Sequence, residues 1–180
     1  MTSLQRVQVF RKLIDELRDN QSNPILNIGY NIGLTNHDNP FQWRVTLFGP
    51  RDTPYNGGIF FLTLTFSYDY PSRPPEVKFV TPIYHLNVRS RTNANEFLGE
   101  PNLNILNQWK PEFKVKDIII SIYSLFYMNN IDCELSHVMT EEFKNNKSLY
   151  EEKIKYFTRK YANPMIGYKK YDNWDFTYNN

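Results

Sequence analysis

Thiol and imidazole chemistry rests on four side chains in this 180-residue chain: Cys133, His37, His85 and His137. A single cysteine forms neither an internal disulfide nor a multi-thiolate metal site, and it fits a reducing compartment, so a cytoplasmic or nuclear setting is expected. A lone thiol is more often an inert small hydrophobe than a nucleophile. His37 and His137 have no acidic or thiol partners at metal-ligand spacing, so no metal is expected. His85 stands two residues before Asn87 in the run Tyr84-His85-Leu86-Asn87-Val88. An imidazole placed before a polar loop is expected to brace it by hydrogen bonds, and the Asn87 carboxamide can brace the same backbone.

These side chains need elements to hold them. Leu4, Val7, Phe10, Ile14 and Leu17 recur at spacings of three and four, which predicts an amphipathic first helix with this stripe inward. Arg6, Arg11, Lys12 and Glu16 are then expected on its solvated face, a surface that could also dock a partner. After a break at Asn20 to Pro24 the period becomes two. Ile28, Tyr30, Ile32 and Leu34 form one alternating set; Phe41, Trp43, Val45 and Leu47 a second; Phe60, Leu62, Leu64 and Phe66 a third. Short turn-forming connections predict an antiparallel meander, with Glu76 to Val80 as a fourth strand. Periodicity fades from Thr81 to Lys114, a length of irregular chain that is usually functional or disordered. Val115, Ile118, Ile119, Ile122, Leu125 and Phe126 then predict a central helix. A short helix is expected from about Glu134 to Lys144. A last one starts at Ser148, with Ser148 and Glu151 as a capping box and Tyr150, Ile154, Phe157 and Tyr161 as its stripe. Strands and helices are segregated along the chain, which is the pattern of an α+β domain.

Composition narrows the function classes. The 41% hydrophobic and 16% aromatic content favours a packed domain over disorder. A net charge of +2 gives no argument for a nucleic-acid or anionic-membrane partner. No apolar run approaches a membrane span, and Met1 to Asn20 is charged and helix-periodic rather than a signal peptide.

The stretch from Phe41 to Pro111 resembles the ubiquitin-conjugating enzymes. The matching residues are Phe41-Gln42-Trp43-Arg44-Val45, Leu47 to Gly58 (LFGPRDTPYNGG), Phe60-Phe61-Leu62, Tyr70-Pro71 and Pro74 to Phe79. Tyr84-His85-Leu86-Asn87 matches the Tyr-His-Pro-Asn motif in all but the proline, and Ile105-Leu106 and Trp109-Lys110-Pro111 complete the run. The flanking helices extend the resemblance to about residues 4–162. It implies a ubiquitin-conjugating domain over 1–162, followed by an aromatic and polar extension over 163–180. It also implies a carrier mechanism: an activating enzyme loads ubiquitin onto a cysteine as a thioester, and a lysine, often positioned by a ligase, attacks the carbonyl. A thiolate is needed because it is both a strong nucleophile and a good leaving group near neutral pH. No bound organic cofactor is implied.

The chain departs from the family where that chemistry sits. The register that places the family's cysteine reads Gly99-Glu100-Pro101-Asn102-Leu103-Asn104-Ile105-Leu106, which puts Asn102 at the cysteine position. A carboxamide cannot carry an acyl group as a thioester. Asn87 aligns with the asparagine to which the family assigns oxyanion stabilisation, but without a thioester a structural role is expected for it. Asn87 and Asn102 stand fifteen apart, further than is usual in the family, so an insertion within Arg89 to Leu98 is expected beside the groove, as a tolerated loop or a recognition element. Laid on Leu125 to Leu135, the family pattern puts Cys133 at the acidic gate position and Asn129 where proline is usual. Ser72 takes the place of a bulky apolar ligase anchor, and Lys110-Pro111-Glu112 replaces Ser-Pro-Ala, so binding to an ordinary ligase is expected to be weaker.

Three readings follow. The first is an inactive family member that binds ubiquitin, a ubiquitin-like protein, a conjugating enzyme or a ligase. The second is an active conjugating enzyme, with a cysteine substituted at Asn102 or a nucleophile moved to Cys133. The third is a structural subunit, resting on the insertion and the aromatic tail alone.

Overall fold

The computed structural model describes residues 3–89, 99–132 and 135–163. Helix α1 spans Ser3–Ser22, and four strands follow: β1 (Tyr30–Asn36), β2 (Asn39–Phe48), β3 (Ile59–Thr65) and β4 (Glu76–Phe79). They pair in chain order as an antiparallel sheet. Two-residue strands β5 (Val88–Arg89) and β6 (Glu100–Pro101) make a second small sheet. Helices α2 (Asn104–Asn107), α3 (Val115–Leu125), α4 (His137–Asn145) and α5 (Lys147–Tyr161) complete the order. This is the expected α+β arrangement.

Alternation sets which strand face is buried. Trp43, Val45 and Leu47 on β2 lie opposite Leu64, Leu62 and Phe60 on β3, and all six are fully buried. A one-residue slip would turn every one of them to solvent, so the register is strongly specified. Val115, Ile118, Ile119 and Ile122 of α3 are fully buried in the same cluster. Full burial of such side chains contributes roughly 1.5–3 kcal/mol each before chain entropy is counted. At the far end of α3, Phe126 packs on Phe60 and Tyr55 with ring centroids 5.1 and 5.0 Å apart. Trp43 satisfies its indole N–H on the Pro40 carbonyl at 2.7 Å.

Helix α1 corrects its predicted stripe. Leu13 and Leu17 are buried with Glu16 and Asn20, and Val9 packs partly against the core. Leu4, Val7 and Phe10 are instead exposed. The stripe is therefore rotated by about 100°, the angle of one helical residue. Glu16 explains the rotation: its carboxylate accepts hydrogen bonds from the Tyr70 hydroxyl at 2.9 Å and the Val115 N–H at 3.2 Å. A carboxylate read as solvated thus joins α1 to the start of α3 and to the loop before β4.

Two helix starts differ from expectation. Helix α5 begins at Lys147, with Asn146 as its cap accepting from the Leu149 N–H at 3.1 Å, so Ser148 is inside the helix. Helix α4 begins at His137, capped by Ser136 through the Met139 N–H. Both caps are residue types that favour the position, and two such residues stand within three of each other at the start of α5. The irregular segment holds more structure than expected, namely β5, β6 and α2.

Candidate functional site

His85, Asn87 and Asn102 meet where the chain between β4 and β5 passes beside α2 and the loop after α3. His85 is 1% exposed. Its Nδ1 accepts the Asn87 N–H at 2.9 Å, and its Nε2 lies 2.8 Å from the Leu125 carbonyl. Those partners require a proton on Nε2 and none on Nδ1, which is the neutral ring. Burial lowers its pKa to about 4, against the weaker opposing pull of the backbone carbonyls of Leu125 and Met128. The ring is therefore neutral near pH 7. It clamps the end of α3.

Asn87 has a parallel task. Its Nδ2 donates to the Asn130 carbonyl at 2.6 Å and its Oδ1 accepts the Asn130 N–H at 2.8 Å. The side chain is 1% exposed. It therefore takes both backbone groups of one loop residue, as a neighbouring strand would. Tyr150 adds a third clamp: its hydroxyl accepts the Leu86 N–H at 3.0 Å and donates to the Asn129 carboxamide at 3.1 Å. Burial raises the Tyr150 pKa to about 12, so the hydroxyl keeps its proton. Asn129, noted in the sequence only as a missing proline, thus has a partner. Beside it, Tyr84 donates to the Glu142 carboxylate, which also pairs with Lys153. Burial works against the charged form of Glu142, but the hydrogen bonds from Lys153 and Tyr84 outweigh it and hold the carboxyl below its ordinary pKa.

Asn102 is half-buried. Its N–H donates to the Asn87 carbonyl at 2.9 Å, which fixes its backbone beside the braced segment. Its Oδ1 accepts from Asn107 Nδ2 at 2.7 Å. Asn107 ends α2, and its own N–H donates to the Leu103 carbonyl at 3.2 Å, so one helical turn carries it back to Asn102. Asn107 is not among the residues that the sequence singles out. A carboxamide five residues after another carries no signal until α2 is known to turn there.

Cys133 lies outside the described residues, as do residues 90–98 of the insertion. The ends of the insertion are fixed: Arg89 pairs with Glu100 across β5 and β6, and the Gly99 N–H donates to the Arg89 carbonyl at 3.0 Å. Gly99 takes φ +65°, a conformation that favours glycine, while its carbonyl accepts from the Phe79 N–H at the end of β4.

The residues assigned to partner binding form two surfaces. Arg6 and Arg11 line a cleft of about 540 Å³ with Val7, Phe10, Phe41 and Tyr68. The Arg6 guanidinium sits 5.2 Å from the Tyr68 ring centroid, and Phe41 meets Tyr68 edge-on at 4.7 Å. Lys12 is not part of this lining; its ammonium pairs with Glu16 at 3.5 Å. The second surface joins two loops, because the Trp109 indole N–H donates to the Pro71 carbonyl at 2.6 Å. Ser72, Pro111 and Glu112 are all exposed on those loops.

A meander sheet with a helix before it, a braced His-x-Asn segment and a central buried helix together define a conjugating-type fold. The family model for the ubiquitin-conjugating enzyme matches residues 12–158, and the chain belongs to that family. Family membership implies partners in the ubiquitin pathway, such as activating enzymes and ligases. No helix among the described residues is long and apolar enough to cross a membrane.

Proposed function

We propose that this protein is a non-catalytic member of its family, one that binds ubiquitin, a conjugating enzyme or a ligase in the cytoplasm or nucleus without carrying a thioester. One observation carries the reading. At the position that the family register assigns to the cysteine stands Asn102, a carboxamide held by Asn107, while the braces around it are complete. A scaffold kept in order around a group that cannot form a thioester is suited to recognition. The cleft of Arg6, Val7, Phe10, Arg11, Phe41 and Tyr68 supports the same reading, because apolar side chains exposed between two guanidiniums form a docking surface with few buried anchors.

The test is a two-dimensional NMR titration of the labelled chain with ubiquitin, with an active conjugating enzyme and with ligase domains. At least one is expected to give saturable shifts, weakened about tenfold or more by Phe10→Ala if it docks on α1. Absence of saturable binding to all of them at millimolar concentration would leave the reading without support.

The alternative, an active enzyme with its thiol at Cys133, draws on sequence register. Asn130 is fixed to Asn87, and Cys133 follows it by three residues. Loss of any acyl-carrier activity in Cys133→Ala is the outcome that would favour it.

A further inference from the structure

We infer that the cleft on α1 is the docking site for a segment of this same chain, the aromatic and acidic run Tyr171-Asp172-Asn173-Trp174-Asp175-Phe176-Thr177-Tyr178. The contact is within one molecule, and the inference stands whether or not the protein carries a thioester.

The cleft defines the chemistry of its occupant. Val7, Phe10 and Tyr68 are 47%, 46% and 47% exposed, and with Phe41 they give the cleft apolar walls. Arg6 and Arg11 add two guanidiniums to the same lining. A guanidinium pairs with carboxylates and stacks on aromatic faces. Arg6 already does the second, 5.2 Å from the Tyr68 ring centroid. Asp69, the next residue after Tyr68, is turned to Arg73. The cleft therefore suits a segment with aromatic side chains, negative charge and no positive charge.

The run from Tyr171 to Tyr178 has that chemistry. Tyr171, Trp174, Phe176 and Tyr178 supply aromatic anchors, Asp172 and Asp175 supply two carboxylates for two guanidiniums, and the run contains neither lysine nor arginine. A second depression, on α5, is a poorer fit. It is basic at Lys153, Lys155 and Arg159, but only Leu149 and Tyr156 offer apolar surface there.

The chain is long enough to reach. The Ala162 carbonyl accepts the Ile59 N–H at 2.8 Å, at the start of β3. The cleft lies toward the other end of that strand, where the Phe66 N–H donates to the Phe41 carbonyl at 2.8 Å. From Ile59 to Phe66 a strand rises by about 23 Å. The chain from Ala162 to Tyr171 spans up to about 30 Å when extended. A tether of this length gives an effective concentration on the order of millimolar, so a contact of modest affinity is enough.

The test uses the full chain as Cys133→Ala/Asn180→Cys, with a nitroxide on the introduced thiol and paramagnetic broadening read on backbone amides. The amides of Val7, Phe10, Phe41 and Tyr68 are expected to broaden, and to the same extent across a tenfold dilution. Trp174→Ala/Phe176→Ala is expected to lower the ratio of docked to free segment about tenfold, and Arg6→Glu/Arg11→Glu to do the same. Adding Asp172→Lys/Asp175→Lys to the arginine pair is expected to restore the broadening, which a structural effect of the arginines would not do. The Trp174 and Phe176 substitutions lie outside residues 12–158, so they decide the matter if the arginine pair fails to fold. No broadening at the cleft amides, or broadening centred on α5, would overturn the inference. Broadening that fades on dilution would overturn it as well and would assign the cleft to a second copy of the chain.

Discussion

At the residue scale, two side chains of the His-x-Asn segment hydrogen-bond to backbone groups of the chain after α3 and at its end. Asn87→Ala would remove the side-chain partner of the N–H and carbonyl of Asn130, a residue that is itself exposed. We predict a loss of about 1–2 kcal/mol in urea unfolding, and a loss below about 0.5 kcal/mol would contradict the bracing role. His85 makes a pH prediction. Its folded value of about 4 lies below its ordinary value of 6.5, so folding favours the neutral ring. The unfolded chain binds more protons between those values, and stability rises with pH there. The contribution is intact above about pH 6.5, declines as pH falls, and is gone near pH 4, a swing of roughly 3 kcal/mol. His85→Gln should cost stability at pH 7.5 and flatten the dependence across this window; an equal slope in parent and variant would contradict it. Both side chains stand out in the sequence by type and spacing. Their partners do not. Asn130 and Leu125 contribute backbone groups, which every residue possesses, so nothing in the residue types marks them.

At the element scale, the strands were legible and the rotation of α1 was not. A period of two leaves only two faces to choose between, and Trp43, Val45 and Leu47 choose one. A helix offers a continuous range of rotations. Leu4, Val7 and Phe10 mimic a core stripe, but Val7 and Phe10 turn their apolar surface outward into a cleft and Leu4 is exposed. The true rotation depends on Glu16 meeting Tyr70 and Val115, contacts separated by 54 and 99 residues in sequence. Glu16→Ala is therefore predicted to destabilise the domain by about 2–3 kcal/mol, with Glu16→Gln milder because it keeps an acceptor. Thermal unfolding of the pair checks this, and equal melting temperatures for Glu16→Ala and the parent would refute it. The cap of α5 lies two residues before the expected Ser148, where two capping residues compete. Asn146→Ala should cost about 1 kcal/mol and Ser148→Ala much less, in the same measurement.

At the scale of the whole molecule, the fold is legible because the motif run from Phe41 to Pro111 spans three of the four sheet strands, β2 to β4, and the segment around Asn87 and Asn102 together, and the family match over residues 12–158 agrees with it. What the motif did not carry was the chain's own solution at the site. Asn102 and Asn107 form a pair that neither position announces by itself, and it depends on the short turn of α2. The same scale separates two properties that the family normally combines. The braces at His85, Asn87 and Tyr150 order the scaffold, while the carrier chemistry that the family resemblance implies needs a thiol. This chain has the first and, on the family register, has asparagine in place of the second.

The most direct measurement is a charging assay with activating enzyme, ATP and ubiquitin, read on a non-reducing gel for the parent, Asn102→Cys and Cys133→Ala. A non-catalytic parent predicts no reducible adduct on itself or on Cys133→Ala, and one on Asn102→Cys. A reducible adduct on the parent that disappears in Cys133→Ala would contradict that prediction and place the nucleophile at Cys133.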